Sequence, residues 1–221
     1  MNVRFDRLLL RGLVFAGALS SLPVHADRPA SYTTVNCMER QDEQIAKAVE
    51  RVVSTLVSNR ADTTINQNKL IALLQRWFGG NGGLSILAAG YFDVFMREKF
   101  WPAAQGGRVY PTIPLIFDCN DYSLSRIARV KDGINNTIFL SQGFFDPNIY
   151  IWTDPTGGFN INSCSGAIVH ELAHLWGVSK THLGDANEDW YNAALQASAA
   201  GDDAIYTNAY NYEFFYQEFS P

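Results

Sequence analysis

Positive charge, cysteine, histidine and long apolar runs are all scarce in this 221-residue chain. Seventeen lysines and arginines face 22 acidic residues, for a net charge of −5, and no basic run or aromatic-interleaved basic patch occurs. That balance argues against nucleic acid as a partner and weakly favours a cationic substrate. Three cysteines, none in a Cys-x-x-Cys pair, leave no cysteine-ligated zinc site and room for one internal disulfide at most. The glycine-rich stretch Gly79-Gly80-Asn81-Gly82-Gly83 is not followed by Gly-Lys-Ser/Thr, so it is a turn and not a phosphate loop. No internal repeat or linker is visible, and 13% aromatic with 18% charged residues is a globular composition.

The first residues read as an export signal. Arg4, Arg7 and Arg11 precede an apolar run from Leu13 to Leu22, and Val24-His25-Ala26 is a small-residue cleavage site before Asp27. The run is too short for a membrane span, and no later segment reaches the required length of about 20 apolar residues. Residues 1–26 are therefore expected to be a signal peptide and 27–221 a single exported domain. The leader carries Arg4, Arg7, Arg11 and Asp6, or +2, which puts the mature chain at −7. It is expected to be a secreted monomer, extracellular or periplasmic, with no membrane contact once the leader is gone.

The order of elements predicts an α+β domain, mostly helical, with a small sheet. Ile45, Ala48, Val49, Val52, Val53, Leu56 and Val57 follow a helical period up to about Asn59. A second helix is expected from Thr64 to Phe78, and a third carries Leu84, Leu87, Ala88, Tyr91, Phe92 and Phe95 on one side. Strands are expected at Ile113–Phe117, Ile127–Val130, Ile134–Leu140 and Ile149–Trp152, with Asp132-Gly133 a hairpin signal. Two helices, from about Glu188 to Ala200 and from about Asn208 to Phe219, close the chain.

What is present is a cluster of histidines. His170, His174 and His182 fall within thirteen residues, and the first two frame His170-Glu171-Leu172-Ala173-His174. Residues i and i+4 of a helix share a face, about 6 Å apart, so both imidazoles can reach one metal ion. Glu171 points roughly 100° aside, which suits a base acting on a metal-activated water better than a third ligand. Asn162 or Ser163 can cap such a helix and Gly177 can end it. The third ligand is open on spacing alone. A histidine six residues after His174 is missing, since that position is Lys180, whereas Glu213, Glu218, His182 and Asp185 are all available.

The stretch from His170 to Asp185, HELAHLWGVSKTHLGD, resembles the deuterolysin family, the aspzincins, which include a lysine-specific metallo-endopeptidase branch. Asp185 stands eleven residues after His174, as in deuterolysins, and Gly177-Val178 matches their Gly-Val. Tyr191-Asn192-Ala193-Ala194 continues the likeness. Asn208-Ala209-Tyr210-Asn211-Tyr212 is similar to the family's closing Asn-Ala-Asp-x-Tyr, and Phe117-Asp118-Cys119-Asn120-Asp121 to its Tyr-Cys-Asp-Asp. The resemblance implies a zincin-like metalloprotease domain with its sheet beside the metal helix. One zinc ion would be held by His170, His174 and Asp185, with Glu171 as general base, acting on protein or peptide substrates. The family's catalytic tyrosine falls nearest Tyr191, although Glu188 occupies its expected position. Lysine-preferring members use two acids on the closing helix; Tyr210 and Glu213 stand there here, so a modest preference for a basic residue is expected. The resemblance also implies a Cys37–Cys119 disulfide and a free Cys164, with Cys119–Cys164 the alternative. Two other readings compete: a catalytically silent secreted zinc-binding module, and a zinc amidase acting on cell-wall peptides.

Overall fold

The four-stranded sheet is assembled from segments about 80 residues apart in the chain, and a disulfide ties them together. A computed structural model describes residues 30–61, 65–80, 82–100, 114–121, 127–134, 136–146, 163–178, 182–183 and 190–219. The expected signal peptide, the Ile149–Trp152 strand and Asp185 lie outside these. The sheet order is β1-β2-β4-β3, where β1 is Tyr32–Val35, β2 Leu115–Asp121, β3 Ala128–Arg129 and β4 Thr137–Ser141. β1 runs parallel to β2, pairing Tyr32 with Leu115 through Val35 with Asp118. β2 runs parallel to β4, and β3 returns antiparallel on β4, with Arg129 opposite Phe139 and Ala128 opposite Leu140. Asp132-Gly133 makes the expected turn, with Gly133 at φ 74°. The Cys37–Cys119 disulfide, Cα atoms 5.0 Å apart, clamps the end of β1 to β2.

Three helices, α1 (Glu39–Ala61), α2 (Ile65–Phe78) and α3 (Gly82–Phe100), fill the N-terminal half. α1 starts six residues before its first buried isoleucine. Its exposed first turn is held instead by Gln41, whose Oε1 accepts from the Met38 amide at 2.8 Å, and by the acids Glu39 and Asp42 at the positive end of the helix dipole. Ile45, Val49, Val52 and Leu56 then turn inward, to meet Trp77 and Phe78 of α2 and Phe92 and Met96 of α3 in one core. Among the described residues no helix is long and apolar enough to cross a membrane.

α4 (Cys164–Trp176) is the innermost helix, buried without a break from Cys164 to Ala173. Its ends follow from sequence. Ser163 Oγ accepts from the Gly166 amide at 3.0 Å. Gly177, at φ 108°, supplies the left-handed residue that lets its own amide and that of Val178 reach the carbonyls of His174 and Ala173. α4 packs on α1, on α3, on the β3–β4 edge of the sheet and, most extensively, on the closing helix α6 (Ala209–Phe219). α5 (Trp190–Ala200) completes the bundle against α2 and α6. The expected α+β architecture, mostly helical with a small sheet beside the metal helix, is the one observed. β4 has β2 on one side and, at Phe139 and Leu140, β3 on the other.

Cys164 is a free, buried thiol whose Sγ donates to the Phe144 carbonyl at 3.3 Å, and burial pushes its pKa far up. Two outcomes are expected. Cys37→Ser, which opens a loop spanning 82 positions, should cost about 4 kcal/mol of unfolding free energy on loop-closure entropy. Iodoacetamide should label Cys164 only after denaturation, and rapid labelling of the native protein would contradict its burial.

Candidate metal centre

The position of the histidines follows from how α4 and α6 meet. Gly166 and His170 lie one turn apart on the face of α4 that meets α6. A Cβ at Gly166 would overlap the Gln217 amide and come within 2.8 Å of Glu213 Oε1. Glycine there leaves room for the ends of Gln217 and Glu213, and Glu213 reaches His170. Its Oε2 lies 3.0 Å from His170 Nδ1, while its Oε1 accepts from Gln217 Nε2 at 3.0 Å. Both partners are buried, Glu213 at 4% and His170 at 7% exposure.

His170 Nε2 therefore points the other way, where two more imidazoles meet it. His174 Nε2 is 3.2 Å from it and His182 Nε2 is 2.9 Å from it. His174 is fixed by the helix end, since its Nδ1 lies 3.3 Å from the Val178 carbonyl that Gly177 turns back. His182 packs edge-on to Tyr210, with ring centroids 4.8 Å apart, and near Trp190, which stacks on Tyr210 at 4.9 Å. One metal-binding nitrogen from each histidine falls within 4.8 Å of the other two. Two zinc–nitrogen bonds of tetrahedral geometry would place their nitrogens about 3.3 Å apart, close to the 2.9 and 3.2 Å found from His170 Nε2 to its two neighbours.

The electrostatics point the same way. Burial lowers the pKa of His170 to about 3. His182 falls to about 4, through burial first and the His170 charge second. These two rings can thus offer neutral nitrogens at neutral pH, as metal ligation requires. Glu213 is pushed up to about 8 by burial, because a neutral imidazole and one amide are poor compensation for lost hydration. A cation on the far side of His170 would supply the missing positive charge and hold Glu213 ionised.

The remaining sequence candidates fall in different places. Glu171, 7% exposed, follows His170 on α4. Tyr191 is held between α2 and α6. Its hydroxyl bonds Arg76 and Glu218, and its ring packs on Trp77 and Phe214. The neighbouring Trp190, about 100° round the helix, is the α5 residue that faces His182. Glu218 bonds Trp77 Nε1 at 3.1 Å as well as Tyr191, which ties it to α2 and α5. Glu213 orients His170 through Nδ1, so it is neither a ligand on the Nε2 side nor a loose acid for a substrate lysine. Asp185 lies outside the described residues.

No family model and no curated protein matches the sequence. Among solved structures, the fold matches that of a zinc peptidase from Grifola frondosa, with a TM-score of 0.56 and 19% identity over 82% of this chain and 96% of that one. The likeness to deuterolysin-type zinc endopeptidases read from the motif thus holds at the level of the fold.

The Glu213–His170 contact has a measurable consequence. Removing the carboxylate in Glu213→Ala should weaken metal affinity about 10–100-fold, with Glu213→Gln intermediate because its amide oxygen can still accept from Nδ1. Competition against a chromophoric chelator reads this directly. Unchanged affinity in Glu213→Ala would show that the contact does not orient the ligand.

Proposed function

We propose that this chain is a secreted zinc-dependent endopeptidase in which Glu171 is the general base. The observation that carries the reading is the convergence of His170 and His174 Nε2 atoms, 3.2 Å apart, on a helix whose next side chain after His170 is a buried glutamate. A structural metal site has no use for that glutamate and closes its coordination with protein, whereas a hydrolytic site keeps one position for water. The fold neighbour, a zinc peptidase, adds support at a coarser level.

Bound zinc would lower the pKa of a coordinated water from 15.7 towards about 7 and polarise a carbonyl oxygen. The chain's own residues would do the rest. His170 and His174 hold the ion, and Glu213 keeps the His170 ring turned towards it. A third protein ligand comes from the segment after α4, where the resemblance implies Asp185. Glu171 accepts a proton from the attacking water and passes it to the leaving nitrogen, so one group serves as base and then as acid. Tyr191, the oxyanion donor implied by the resemblance, would have to leave Arg76 and Glu218 to take that part.

The substrates proposed are proteins or peptides; the net charge of −5 gives no hold on nucleic acid. Strict selectivity for lysine is not expected, because one position of the acid pair is Tyr210 and the other, Glu213, spends both oxygens inside the protein. The Cys37–Cys119 disulfide supports an oxidising compartment, in keeping with export.

Glu171→Gln should keep its zinc and its thermal stability while losing about 10²–10⁴-fold in casein cleavage. EDTA should abolish cleavage by the wild type. A variant that keeps most of its activity removes Glu171 from the mechanism. A zinc-loaded wild type inert on casein and gelatin would favour the silent binding module, or the amidase if it opens cell-wall peptides.

A further inference from the structure

We infer that His182 is the third protein ligand of the metal, through Nε2, so that the ion is held by three imidazoles in place of two imidazoles and the Asp185 carboxylate. The inference rests on the zinc reading above and concerns which side chain completes its ligand set.

The hydrogens on the three rings cannot satisfy every contact among them. A neutral imidazole nitrogen either carries a hydrogen and donates, or carries a lone pair and accepts. His174 Nδ1 faces the Val178 carbonyl, which can only accept, so the hydrogen of His174 is on Nδ1 and its Nε2 is bare. His170 Nε2 lies 3.2 Å from that bare nitrogen and 2.9 Å from His182 Nε2. If His170 Nε2 carries a hydrogen, that hydrogen cannot be aligned on two acceptors at once. If it is bare, it faces the His174 lone pair with nothing between. No placement of hydrogens makes both of these nitrogen–nitrogen contacts hydrogen bonds at once. A cation among the three lone pairs satisfies both. The two separations from His170, 2.9 and 3.2 Å, also fall near the roughly 3.3 Å edge expected between nitrogens on one tetrahedral zinc, and all three nitrogens lie within 4.8 Å of one another.

His182 is placed for this by more than chance proximity. Its ring lies 29° from parallel to that of His174 at 5.2 Å and is flanked by Tyr210 and Trp190, which limit where it can swing. Three neutral donors leave the ion its full double charge, where a carboxylate would halve it. Such a centre is the stronger Lewis acid and keeps its fourth position for water, as in other three-histidine hydrolytic sites.

X-ray absorption at the zinc edge of the full mature protein tests this without any substitution. Three imidazoles in the multiple-scattering pattern are expected, and two imidazoles with a carboxylate would overturn the assignment. Paired variants give a second readout. His182→Ala should weaken zinc binding at least 100-fold and shift the visible spectrum of the cobalt-substituted protein, whereas Asp185→Ala should retain one metal per chain. Full affinity and an unchanged cobalt spectrum in His182→Ala would overturn the inference, as would loss of metal confined to Asp185→Ala. A wild type that takes up no zinc at all would instead sink the zinc reading itself.

Discussion

The close approach of α6 to α4 is the constraint on which the site depends. At Gly166 the missing side chain leaves room for the ends of Gln217 and Glu213. Across this contact a buried carboxylate meets His170 Nδ1 and fixes the direction of Nε2. α6 is itself anchored from behind: Asn211, fully buried, donates to the Trp77 carbonyl at the end of α2 and takes an amide hydrogen from Asn208. A polar network in a dry interior is costly to break, and here it joins the closing helix to the N-terminal bundle. The N-terminal helices thus bear on the chemistry by holding the helix that holds the ring.

The ends of α4 act on the site as directly as its middle. Gly177 turns the chain left-handed, and the carbonyl delivered by that turn, Val178 O, sets the hydrogen of His174 on Nδ1. Two different devices, a side-chain carboxylate for His170 and a backbone carbonyl for His174, thus orient two imidazoles from one helix towards one point. Such partners beyond the ligands commonly decide metal affinity.

Much of this was legible in the sequence. The helix at 164–176, its Ser163 cap and its Gly177 stop follow from local rules, and so do α2, α5, α6 and the Asp132-Gly133 hairpin. The start of α1 was missed because Glu39 to Gln44 carry no apolar period; the Gln41 side chain and two acids hold that turn. β1 was missed because four residues, Tyr32 to Val35, form a strand only through parallel pairing with β2, about 80 residues on. At the site, the histidine cluster was a visible signal for His182, but spacing could not separate it from Asp185. The role of Glu213 had no local signal at all. Gly166 and Glu213 become partners only when two helices 47 positions apart in sequence are laid together, and nothing in either helix alone announces it.

The central claim is that His170 and His174 bind one zinc through Nε2 on the helix that also carries Glu171. Anomalous diffraction at the zinc edge from crystals of the zinc-loaded protein tests it most directly. The account predicts one strong anomalous peak at about 2.0–2.1 Å from both Nε2 atoms. A peak elsewhere, or none at full zinc loading with both histidines ordered, would contradict it.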